Sequence, residues 1–170
     1  QIYPTNIVGL KISFYICCEI SHDNMKINTK IRYGLRTMIA IACCNEQRGI
    51  LQKEISERQL ISNKYLDAIV AALKSKGLIT NYRGKGSGYK LTRPAEQITM
   101  YDIYTAFEPI IVVECLDNPE FCELECCCAA NKYWMEMKRD FAKMLKEKTL
   151  SSIAGHDRPC LEESIGKPAC

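Results

Sequence analysis

Apolar residues in the first half of the chain recur at helical spacing. From Thr29 they fall at Ile31, Leu35, Met38, Ile39, Ala42 and Cys43, one face of a helix. Thr29 is the expected N-cap, and Arg32 and Arg36 lie off that face. Gln47-Arg48-Gly49 is expected to end the element, because glycine takes a left-handed cap readily. A short helix over about Gln52 to Arg58 turns Ile55 inward. Ser62 then caps a third helix, with Leu66, Ile69, Val70 and Leu73 toward the core and Gly77 closing it. Two short helices joined by a brief turn form a helix-turn-helix. The first turn of the second carries Ser62, Asn63, Lys64 and Tyr65, polar groups suited to phosphates and base edges.

The period then changes. Ile79 to Arg83 and Tyr89 to Thr92 have strand character, and Gly84, Gly86 and Ser87-Gly88 lie between them. This predicts a hairpin with a glycine-rich tip, made basic by Arg83 and Lys85. Glycine lets backbone approach a phosphate closely. Helix, helix, helix and basic hairpin in that order is a winged helix. Thr99 and Asp102 form a capping pattern ahead of Met100, Ile103 and Phe107, and Pro109 is expected to stop that helix. The last strong element spans about Ala130 to Lys148. Its apolar seam (Trp134, Met137, Phe141, Met144, Leu145) predicts a helix that pairs with a second copy. The fold class is mainly α with a small β wing: a winged helix-turn-helix domain plus a long C-terminal dimerisation helix.

Charge sharpens this picture. The net charge of +3 is unevenly divided. Lys26 to Arg93 holds fourteen Lys and Arg against four Asp and Glu, a net of +10, and the rest of the chain carries −7. A basic half of this size favours a polyanion partner. Within it, Thr29, Lys30 and Arg32 are further candidates for phosphate contact from the first helix. Residues 25–109 are read as the DNA-binding part, 110–129 as a cysteine-rich segment, 130–153 as the dimerisation helix and 154–170 as a loose tail. Residues 1–24 are read as an extension of unknown role, with Met25 a plausible start. The apolar run from Ile7 to Ile20 is interrupted by Lys11 and too short to span a bilayer. No membrane partner is expected.

The chemistry concentrates between Glu114 and Trp134. Cys115, Cys122, Cys126, Cys127 and Cys128 stand among Glu114, Asp117, Glu120, Glu123 and Glu125, and no Lys or Arg occurs between Arg93 and Lys132. The eleven cysteines are odd in number and bunched as neighbours, which argues against a disulfide framework. A reducing, cytoplasmic setting with a metal or redox site fits better. Thiolates suit iron–sulfur clusters and zinc. An enzyme is not expected: the two histidines, His22 and His156, lie in the flanks, and no nucleophile–base pair, phosphate loop or carboxylate dyad is recognisable.

These motifs together resemble the winged-helix transcription regulators typified by the iron–sulfur cluster regulator IscR and the nitric-oxide sensor NsrR. The resemblance covers about Met25 to Ile153. It rests on "MKINTKIRYGLRTM", "EISERQLISNKYLDAIVAALKSKGLI", "RGKGSGYKL" and cysteines ahead of a tryptophan-bearing helix. It implies a homodimer that binds a near-palindromic double-stranded operator and, in many members, an iron–sulfur cluster. It implies Cys115, Cys122 and Cys128 as cluster ligands. Asn131 stands where IscR-like members place a histidine ligand, and Arg32 where NsrR-like members place an aspartate. The fourth position is therefore open, with Cys126 and Cys127 as candidates. In the wing, Lys85 and Ser87 replace a common proline and glycine, and Asp67 stands where IscR has a glutamate that influences site choice. The implied function is a regulator or repressor sensing iron–sulfur status, nitric oxide or redox state through a [2Fe-2S] or [4Fe-4S] cluster. Zinc, a thiol switch or no cofactor are the alternatives, and an iron–sulfur assembly or electron-transfer protein would leave the winged helix unexplained.

Overall fold

The computed structural model describes residues 27–44, 48–83, 86–118, 122 and 127–155. Helix α1 spans Thr29–Ala42. Its N-cap is Asn28 rather than Thr29: the Asn28 side chain accepts a hydrogen bond from the Ile31 backbone N–H at 2.8 Å. Asparagine caps better than threonine. The helix ends at Ala42, ahead of the expected Gln47–Gly49 stop. Its buried residues are Ile31, Gly34, Thr37, Met38, Ala40 and Ile41, not a single leucine-and-isoleucine face. The reason is packing on several sides, since α1 meets four of the helices that follow it and one strand of the hairpin. Small residues are buried where neighbours come close. A Cβ on Gly34 would meet the Phe107 ring at 2.2 Å.

Helix α2 spans Gln52–Gln59 with Ile55 fully buried. Helix α3, Asn63–Ser75, is capped by Ser62 and buries Leu66, Ile69, Val70 and Leu73 as expected. Its end is tightly closed. Gly77 takes a φ of 71°, its N–H donates to Lys74, and the Leu78 N–H donates to Leu73. That double bond pattern satisfies two carbonyls the helix leaves open, with Leu73 and Leu78 buried across it.

Strands β1 (Ile79–Asn81) and β2 (Tyr89–Leu91) pair antiparallel, Ile79 against Leu91 and Asn81 against Tyr89. The ladder continues toward the tip through Tyr82 N–H to the Gly88 carbonyl at 2.9 Å. A third segment joins this sheet: Ile50 and Tyr89 exchange hydrogen bonds at 3.2 and 2.8 Å. Gly49 and Gly88 cross there so closely that a Cβ on Gly88 would lie 2.4 Å from Gly49 backbone. Gly49 thus serves the wing, not the end of α1.

Helix α4 is short, Met100–Tyr104, and carries the expected Thr99–Asp102 capping box. It stops at Thr105, before Pro109, and Phe107 lies in the following turn, half-buried against the core. Helix α5 spans Asn131–Glu147 and breaks at Lys148, whose backbone is extended. A further helix, α6 (Leu150–Ala154), is capped by Thr149 and folds back onto α1. It is held by paired bonds, Met100 N–H to Lys148 and Leu150 N–H to Ile98, both 2.7 Å. Leu150 is fully buried. The anticipated dimer seam is therefore split: Leu145 is buried in its own chain and Phe141 packs edge-on against Tyr104 at 5.8 Å. No helix among the described residues is long and apolar enough to cross a membrane.

Candidate nucleic-acid interface and cysteine loop

The start of α3 presents polar groups outward. Ser62 accepts from the Tyr65 backbone N–H at 3.3 Å, and Ser62, Asn63 and Lys64 are exposed. Tyr65 is different. It is half-buried and meets the Tyr33 ring edge-on at 5.6 Å. Tyr33 in turn carries the Arg32 and Arg36 guanidinium groups 5.1 and 5.5 Å from its ring centre. Cations over a tyrosine face are attracted by its quadrupole. Arg36 also donates to the Gln59 side chain at 3.0 Å and to its backbone carbonyl, fastening the end of α2. So α1 props the start of α3 through an aromatic contact and anchors the helix before it.

Thr29, Lys30 and Arg32 are exposed on the first turn of α1. A carboxylate stands nearby, because the Asn28 amide donates to Glu108. In the wing, Arg83 is exposed and its N–H donates to the Ser87 hydroxyl at 3.0 Å. Gly86 is exposed, with a φ of 86°. Lys90 and Arg83 both lie over the Tyr82 ring, at 3.9 and 5.1 Å. Gly84 and Lys85 lie outside the described residues, as do residues 1–24, Cys126, and His156 with the tail that follows it. Gln52, Tyr33 and Tyr82 also shape this surface. No periodicity marks them, since their partners are far along the chain.

The cysteine segment is tied to α5. Glu114–Leu116 form a 3-10 turn carrying Cys115, and Lys138 of α5 pairs with Asp117 just after it. Cys128 accepts from the Asn131 N–H at 3.1 Å as the chain enters α5. The residue at the N-cap is Ala130, which makes no side-chain cap, so the positive end of that helix opens just after Cys127 and Cys128. Cys115, Cys122 and Cys128 are half-buried and Cys127 is exposed. Soft sulfur donors of this kind suit a cluster or zinc. Among the described residues, however, no three His, Cys, Asp or Glu side chains gather as a ready-made metal site.

On α5, Tyr133 and Met144 are exposed and Met137 half-buried, all within about 40° of one another around the axis at 100° per residue. Trp134 is half-buried and packs edge-on with Tyr133 at 4.9 Å. Met135 projects on another side and borders a groove of about 440 Å³ with Leu116, Asn131 and Arg139.

Comparison with known proteins agrees with this architecture. Protein rrf2 of Nitratidesulfovibrio vulgaris is 32% identical over 130 residues, 76% of this chain and 87% of that protein. The structure of CymR, described as the global cysteine regulator of B. subtilis, superposes with a TM-score of 0.63 at 32% identity, covering 77% of this chain and 97% of CymR. T. potens IscR shares the fold, with a TM-score of 0.61 at 24% identity over 85% of this chain and 93% of its own. Residues 27–156 match the profile of the Rrf2 family, described as an iron-dependent transcriptional regulator. The chain belongs to the Rrf2 family, and is a DNA-binding transcriptional regulator of winged-helix fold rather than an enzyme.

Proposed function

We propose that this regulator binds a near-palindromic duplex as a homodimer and senses iron–sulfur status, nitric oxide or redox state through its cysteine loop. The observation that carries the reading is the joining of that loop to the α5 stalk. Lys138 ties the Asp117 turn to α5, and Cys128 lies in the turn that opens the helix. A change at the thiols is thereby delivered to the element that sets the distance between two reading heads. Tyr133, Met137 and Met144 form the stripe offered to the second copy, with Trp134 beside it. Ser62, Asn63 and Lys64 enter the major groove, Tyr65 positions them, and Arg83, Gly84, Lys85 and Gly86 track the backbone as the wing tip.

Cys115, Cys122 and Cys128 would hold an iron–sulfur cluster, with Cys126 or Cys127 as a fourth donor. Such a group supplies a site that reacts with oxidants or nitric oxide and is lost when iron is scarce. The chain's own part is to offer sulfur donors ahead of α5 and to anchor the loop through Lys138. A second reading is a thiol switch without metal, built on the same cysteines. Similarity to the CymR of Staphylococcus aureus, a protein also solved in an oxidized form, favours this reading.

Protein isolated without oxygen distinguishes the two. Bound iron and sulfide, a visible absorbance band, and loss of both in Cys128→Ser support the cluster. Colourless, iron-free protein whose DNA affinity changes on oxidation, with a disulfide or sulfenate mapped to the loop, supports the switch. For the DNA half, Arg83→Ala is expected to weaken duplex binding and reduce the salt dependence by about one unit of slope. An unchanged titration would remove the wing from the interface.

A further inference from the structure

Three elements of the reading head are joined by two consecutive side-chain hydrogen bonds. The Tyr89 hydroxyl of β2 donates to Gln52 Oε1 of α2 at 2.7 Å. Gln52 Nε2 donates to Asp67 Oδ1 of α3 at 2.6 Å. The direction is chemically fixed. A carboxylate only accepts, so the amide must turn its NH₂ toward Asp67, which leaves Oε1 for the tyrosine proton. The origin of the relay is rigid. Tyr89 is only 8% exposed, its backbone exchanges two bonds with Ile50, and the Lys74 ammonium lies 4.7 Å from its ring centre. Burial first, and then the charge of Asp67, hold the phenol above its ordinary range, so it remains a donor at neutral pH.

The end of the relay is exposed. Asp67 lies three residues after Lys64 and four after Asn63, exposed at the flank of the face that buries Leu66, Ile69, Val70 and Leu73. It is one of only four acids between Lys26 and Arg93. Phosphates repel a carboxylate on that flank. What can engage it in a major groove is a base-edge amino group, and an acidic side chain pairs with cytosine N4. Gln52 occupies Oδ1, and among the described residues no hydrogen bond to Oδ2 is formed.

We propose that Tyr89 and Gln52 are positioning residues that aim Asp67 Oδ2 at the exocyclic amino group of a cytosine, so that base choice by the reading helix depends on the wing. This rests on the reading of α3 as the element that enters the groove. It explains why Gln52, at the start of α2, reaches α3 and the wing instead of solvent.

The experiment selects duplexes from a random library with the full chain and with Asp67→Ala, Gln52→Ala and Tyr89→Phe. Affinities are then measured at one salt concentration for the selected duplex, its single-base-pair variants and an unrelated duplex. The unsubstituted chain is expected to prefer a C·G pair at one position of each half-site by about tenfold. All three substitutions should flatten that same position, while affinity for the unrelated duplex stays within about twofold. Tyr89→Phe keeps the ring and its packing and removes only the donor. Retention of the preference in Gln52→Ala and Tyr89→Phe overturns the proposal, as does its retention in Asp67→Ala. Equal weakening on every duplex assigns the relay to folding and overturns it too. If the unsubstituted chain enriches no duplex, the DNA-binding reading itself fails, which is a distinct result.

Discussion

Leu60 sits in the turn between α2 and α3 with φ 53° and ψ 43°, and it is 80% exposed. A left-handed conformation costs a non-glycine residue about 1–2 kcal/mol, and nothing is regained here by burial. Leu60→Gly is therefore expected to raise stability by about 0.5–1 kcal/mol, the relief being partly offset by a more flexible unfolded chain. Urea denaturation of the two proteins measures this directly. Asp102 shows the opposite economy. Burial alone would raise its pKa, but hydrogen bonds from the Thr99 N–H and hydroxyl, together with Arg93 at 3.0 Å, hold it below the ordinary range. A carboxylate depressed by folding stabilises fully above its unfolded value of about 3.9 and loses that contribution as pH falls through the lower folded value. The denaturation midpoint of Asp102→Asn should accordingly lie below that of the parent at neutral pH, with the gap closing in acid. A constant gap from pH 6 to pH 2 would contradict this account.

At the scale of elements, the wing depends on two residues with no side chain. Gly88→Ala would drive a methyl group into Gly49 backbone, and backbone cannot turn aside as a flexible side chain can. A loss of about 2–3 kcal/mol is expected, with faster amide exchange at Tyr82 and Tyr89 as the mark of a loosened wing. Unchanged exchange would show that the crossing is not what holds the hairpin. This contrast also separates what could be read from the sequence from what could not. The four inward residues of α3, the Thr99–Asp102 box and the hairpin were legible, because each signal lies within a few residues of the structure it specifies. The role of Gly49 was not, because its partner is 39 positions away. Nor was the split of the α5 seam. Periodicity reports which residues are apolar, but it cannot say that Leu145 and Phe141 are claimed by the chain's own core. Helix α6 had one local signal, Thr149 ahead of Leu150, and too few residues to show a period. Of the candidate site, Ser62, Asn63 and Lys64 were legible, whereas the propping of Tyr65 by Tyr33 and the Gln52 relay needed the folded chain.

For the whole molecule, the stripe left on α5 makes a definite prediction. Tyr133→Glu combined with Met144→Glu adds charge to side chains that are already exposed, so folding should be preserved. On the proposed homodimer, the pair is expected to leave a monomer in sedimentation, and to weaken binding to a two-half-site duplex about 100-fold or more by removing bivalency. Binding to a single half-site should change little. A dimer that survives the double substitution would place the contact elsewhere.

The break at Lys148 leaves α5 a beam held most firmly along its C-terminal half. That hold includes buried Leu145 and Leu150 and the paired bonds that join Lys148 and Leu150 to Met100 and Ile98. Seventeen residues at 1.5 Å each make the beam about 25 Å long, with Cys127 and Cys128 just ahead of its outer end. On the proposed sensing role, force applied there would act with its longest moment arm, so a slight pull at Cys128 would become torque at the root, beside the DNA-binding body.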